Sequence, residues 1–74
     1  MKYKFITIEE SRISAGRPEY RITNNKSGDI LGYVVYYPTW RQYVFSQADE
    51  GMVFNNTCLR DVVDFMENRA GKEA

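Results

Sequence analysis

Histidine is absent from this chain, and cysteine occurs once, at Cys58. The first absence removes the imidazole on which most nucleophile–base pairs, triads and zinc sites depend. The second excludes an internal disulfide and fits a reducing, cytoplasmic setting. Charge of one sign is also missing: ten Lys and Arg balance ten Asp and Glu over 74 residues. A dedicated nonspecific nucleic-acid binder would carry a basic excess. No apolar run approaches the ~18 residues of a membrane span. The opening Met-Lys-Tyr-Lys-Phe-Ile-Thr-Ile lacks a signal-peptide cleavage pattern. The five glycines are scattered, so no phosphate-cradling loop is written here. These absences lead us to expect no cofactor, no metal, no membrane and no enzyme.

What the chain has in quantity is aromatic and β-branched residues, concentrated between Asp29 and Ser46. Residues 1–74 are expected to form one domain. Lys2 to Ile8 reads as a first strand, with a break in alternation after Phe5 that a bulge, or a strand buried on both faces at one end, would explain. Glu9 to Arg17 is polar and reads as a mobile loop. Pro18 is confined to a strand start or an edge. Glu19 to Asn24 reads as a second strand, and Asn24 to Asp29 as a turn. Ile30 to Tyr37 and Trp40 to Ser46 read as a hairpin about Pro38-Thr39. A two-residue loop pairs Tyr37 with Trp40 and Val34 with Tyr43; a four-residue loop would slip that register, and Pro-Thr is not the usual two-residue loop.

Gln47 to Gly51 reads as a polar turn and Met52-Val53-Phe54 as a short apolar segment. Asn55 or Asn56 offers an N-cap to a helix over Thr57 to Ala70, with Gly71 just past its end. Leu59, Val62, Val63, Met66 and Ala70 form its apolar stripe, widened by Cys58 and Phe65. Lys72-Glu73-Ala74 is expected to fray. The order predicts an α+β fold: a three- to four-stranded antiparallel sheet with one C-terminal helix packed on one face.

That fold leaves the other sheet face open. Alternation puts Ile30, Val34, Tyr36, Tyr43 and Phe45 on one face. It puts Leu31, Tyr33, Val35, Tyr37, Trp40, Gln42 and Val44 on the other, without saying which the helix covers. If the second face is open, Tyr33, Tyr37, Trp40, Arg41 and Gln42 are the candidate contact residues for a protein partner or a homodimer, since tyrosine and tryptophan bring contact area with little entropy to lose. Arg17, Arg21 and Arg41, with Arg12, are candidate nucleic-acid contacts beside those rings. Cys58, in the first helical turn without a base, reads as a small packed residue. Asp61 and Asp64 read as a solvated helix face rather than an acid–base pair.

The run Leu-Gly-Tyr-Val-Val-Tyr-Tyr-Pro-Thr-Trp-Arg-Gln-Tyr-Val-Phe, followed by Val-Phe-Asn-Asn-Thr-Cys-Leu-Arg-Asp-Val-Val-Asp-Phe-Met, resembles a group of short bacterial and phage proteins. These carry a Trp-Arg-Gln-Tyr-x-Phe stretch and then a Cys-Leu helix. The resemblance spans Leu31 to Met66. It implies a prokaryotic or phage origin and a cytosolic setting, and brings no activity or site residue with it. The order of three strands followed by a helix is also similar to small DNA-binding domains of some phage-type integrases, a likeness of topology alone.

Overall fold

Alternation along each apolar run sorts the side chains into two sheet faces, and the helix takes one of them. In the computed structural model, which describes residues 1–72, the strands are β1 (Ile6–Ser14), β2 (Arg17–Asn24), β3 (Ile30–Tyr37) and β4 (Gln42–Gln47). They form one antiparallel sheet in the order β1-β2-β3-β4, and α1 (Asn56–Asn68) follows. The expected α+β architecture is therefore present, with four strands. The fraying expected of Glu73 and Ala74 lies outside the described residues.

The core lies between α1 and the face carrying Ile6, Ile8, Tyr20, Ile22 and Val34, with Val62, Phe65 and Ala70 supplied from the helix end of the chain. The Phe65 ring stands edge-on to Tyr20 at 4.7 Å between centroids. The buried Tyr20 hydroxyl accepts the Gly71 N–H at 2.9 Å, which holds the chain just beyond the helix against the sheet. At the other end, the Asn55 side chain caps α1 by accepting from Cys58 N–H at 2.8 Å. Gly32 gives β3 and β4 their close approach: a Cβ there would lie 2.6 Å from the Ser46 carbonyl oxygen and 2.7 Å from the Phe45 ring. The Phe45 ring covers this gap and packs edge-on against Phe54 at 5.0 Å.

Several expectations need correction. Glu9 to Arg17 is a paired ribbon rather than a mobile loop. β1 runs on to Ser14, turns through Ala15-Gly16, and pairs Ser14 with Arg17. Both turn residues take positive φ, 51° and 78°, as a right-twisting two-residue hairpin requires. A bulge between Glu10 and Arg12 rephases the ribbon. The alternation break after Phe5 is a chain reversal. Lys2 bridges to Thr7, Ile8 N–H donates to the Met1 carbonyl at 2.9 Å, and the Met1 amino group donates to the Ile8 carbonyl. Residues 1–3 thus lie along the outer edge of β1. Pro18 sits where β2 has no β3 pairing; its carbonyl accepts the Tyr43 hydroxyl at 2.9 Å instead.

The β3–β4 hairpin has the longer loop. Tyr37 pairs with Gln42, Tyr36 with Tyr43 and Val34 with Phe45, so residues 38–41 form the turn. Proline's fixed negative φ cannot serve the positive-φ positions of the favoured two-residue loops, and the left-handed residue moves to Arg41 at φ 54°. The slip is two residues, an even number, so each side chain keeps its face. Ile30 and Leu31 are the exceptions: the bulge between Ile22 and Thr23 turns Leu31 towards the core and places Ile30 opposite Thr23, exposed and off the Val34 face. The helix stripe is also rotated. Leu59 and Val63 are 42% and 45% exposed, whereas Phe65 is 1% exposed. At about 100° per residue, Leu59 and Val63 lie about 60° and about 100° round from Val62, away from Cys58 and Phe65. Met52-Val53-Phe54 joins no strand.

Candidate functional site: the open sheet face

The helix covers the Val34 side, so the aromatic run of β3 presents its other side outward. Tyr33 and Val35 project there from β3, beside Val44 and Ser46 of β4. Tyr37 lies at the end of the row opposite Gln42. Trp40, in the turn rather than in β4, stands edge-on to Tyr37 at 4.9 Å between centroids. Trp40 is 64% exposed and Tyr37 41% exposed. Thus Tyr33, Tyr37, Trp40 and Gln42 are brought to one face, with Arg41 in the adjoining turn.

The arginines divide. Arg21 lies opposite Tyr33 in the β2–β3 register. Arg12 lies opposite Glu19, and its Nε donates to Glu19 Oε1 at 2.7 Å. The hydrogen bond and charge of Glu19 raise the Arg12 pKa above its ordinary value. Arg17 leaves this group: its guanidinium carbon stands 3.9 Å from the centroid of Tyr36, a cation–π contact with a ring that shares the helix-side face.

Ser11, Glu19 and Ser46, missed from sequence, complete the face. With Arg12, Tyr33 and Val35 they line a shallow groove of about 420 Å³. Glu9 lies beside Arg21 in register. The face therefore alternates in charge over β1 and β2 and is apolar or neutral over β3 and β4. The ribbon that carries half of it lacks an apolar alternation, so its one legible signal was the Ala-Gly pair at a hairpin tip.

The helix offers less chemistry. Asp64 accepts from the Tyr3 hydroxyl at 2.9 Å and from the Asn68 side chain at 2.9 Å, a structural use of that carboxylate. Desolvation first, then the bond to Asp64, raises the Tyr3 phenol to about 12. Cys58 is half-buried beside Leu31 and Phe54, less enclosed than the sequence suggested. Among the described residues there is no group of three or more His, Cys, Asp or Glu placed to hold a metal ion. Among them, too, no helix is long and apolar enough to cross a membrane. Comparison with known proteins finds no family model, no curated protein and no solved structure that matches the chain.

Proposed function

We propose that this chain is a noncatalytic binding module whose open sheet face takes a protein surface, with Tyr33, Tyr37, Trp40, Arg41 and Gln42 among the contacts. The observation that carries this reading is the Tyr37–Trp40 pair, stacked edge to face and left in solvent on the face the helix does not cover. Exposed aromatic anchors beside half-buried apolar residues are the composition of an interface centre. The absence of histidine and the structural use of Asp64 and Glu19 support a role without catalysis. A bacterial or phage cytosol is the setting supported by the resemblance across Leu31 to Met66 and by the unpaired Cys58.

Glu9 and Glu19 favour a protein partner over nucleic acid. Each lies beside an arginine on the open face, so phosphates approaching Arg12 and Arg21 would meet carboxylates. The test is a photo-crosslinking residue at Ser46, which lines the groove, compared with one at Glu67 on the exposed side of α1. Protein adducts from position 46 and none from 67 are the expected result. Nucleic-acid adducts from position 46 would replace this reading with the DNA-binding one. No adducts, or equal adducts at both positions, would overturn it.

A further inference from the structure

We propose that the occupant of the open face is a second copy of this chain, packed sheet on sheet about a two-fold axis that runs across the strands. This rests on the reading of that face as a protein-binding surface, and it follows from how charge is laid out on the strands. Two neighbouring rows of side chains cross the face. One runs Glu9, Arg21, Tyr33, Ser46; the other runs Arg12, Glu19, Val35, Val44. On β1 and β2 the rows form a two-by-two checkerboard of acid and base. On β3 and β4 they are apolar or neutral.

An axis lying between the rows and parallel to them stacks each strand on its own copy and exchanges the rows. Glu9 then faces Arg12 of the second copy, Arg21 faces Glu19, and Tyr33 faces Val35. Apolar area meets apolar area, and each charge meets its opposite. Tyr37, at the end of β3, and Trp40 beside it reach over the Ile30 end of β3 of the second copy. Strand directions stay aligned, as packed sheets require. The other in-plane axis, along the strands, would stack β1 on β4, putting Arg12 over Val44 and Glu19 over Val35. It would bury the Arg12–Glu19 pair against apolar side chains, with no opposite charge across the contact to offset the lost water.

Two further features favour a second copy. Formal net charge is zero, so two copies do not repel. Each copy brings both halves of the charge pattern, as an isologous contact demands. Four strands at about 4.8 Å and three side-chain rows at about 7 Å, the two above and the one that holds Tyr37 and Gln42, give a projected face of roughly 400 Å². That is small for an interface, so the dimer belongs to the weak, transient class.

Sedimentation velocity on the intact chain from ~20 µM to ~1 mM covers the range of such weak contacts. Wild type is expected to pass from monomer to dimer. Glu9→Arg places like charges opposite each other, as does Arg12→Glu, and each is expected to weaken the dimer at least about tenfold. An equimolar mixture of the two restores opposite charges at both positions and is expected to recover the dimer. Circular dichroism of each variant alone checks that it is folded, and recovery in the mixture could not come from unfolded chains. A wild type monomeric throughout, or a mixture no better than either variant, would overturn the two-fold contact. Adducts from position 46 to a different protein, with wild type monomeric, would overturn this inference and leave the binding-module reading standing.

Discussion

Truncating Phe65 and Leu59 to alanine, one at a time, tests how α1 is rotated on the sheet. Phe65 is almost wholly buried and stands against the Tyr20 ring. Its loss removes both the transfer free energy of the ring and its packing, and leaves a cavity that Val62, Tyr20 and Met66 cannot collapse to fill. The expected cost is about 3–5 kcal/mol. Leu59 keeps 42% of its surface in water, so its truncation forfeits about half of the roughly 2 kcal/mol of full burial and leaves no enclosed void. About 1 kcal/mol is expected. Domains hold about 0.05–0.15 kcal/mol per residue, or ~4–11 kcal/mol for this chain, so Phe65→Ala consumes much of the total. Urea denaturation followed by far-UV circular dichroism reads both. A Leu59→Ala cost equal to that of Phe65→Ala would show that the helix turns the Leu59–Val63 side to the core, and the packing described above would be wrong.

Gly32→Ala should cost about 1–3 kcal/mol in the same denaturation assay, because its Cβ has to push the backbone oxygen of Ser46 away; an unchanged midpoint would refute the close approach of β3 and β4. Ala15→Asn should stabilise by up to about 1 kcal/mol, since Ala15 holds φ 51° at the hairpin tip and asparagine tolerates it better. Loss of stability there would mean that the ribbon does not turn at Ala15-Gly16. The Tyr3 phenol, raised to about 12 by burial and then by its bond to Asp64, favours the native state fully below its unfolded pKa near 10. That contribution is lost as pH rises through about 12, so stability should fall faster over this alkaline window in wild type than in Tyr3→Phe. Parallel pH profiles of the denaturation midpoint would contradict the Tyr3–Asp64 bond.

The parts of the fold legible from sequence were those where an apolar period meets a physical stop. β3, the body of β2 and α1 are marked by alternation or helical spacing and bounded by Asn, Gly and Pro. The faces of β3 and β4 survived an error in register because the slip was even. The β1–β2 ribbon was not legible, because its side chains from Glu9 to Ser14 stand in solvent and carry no apolar period. With the ribbon went Glu9 and Glu19, whose place beside Arg21 and Arg12 depends on a pairing that only the hairpin creates. Leu31 and Leu59 were misjudged for related reasons: a bulge resets parity locally, and a wide helical stripe does not say where its centre lies. Trp40 was expected on the right face but in a strand, because Pro38 hides the left-handed residue that the turn recruits at Arg41.

The central claim is that the Tyr37–Trp40 pair serves contact and not packing, and Trp40→Ser measured for folding and for association side by side tests it most directly. Trp40 is 64% exposed and touches Tyr37 at the edge of the structure. Its replacement is expected to change stability by no more than about 0.5–1 kcal/mol. Association, read by light scattering over the range in which wild type self-associates, should weaken markedly. A variant that unfolds, from a wild type that stays monomeric at every concentration, would make Trp40 a packing residue and contradict the account.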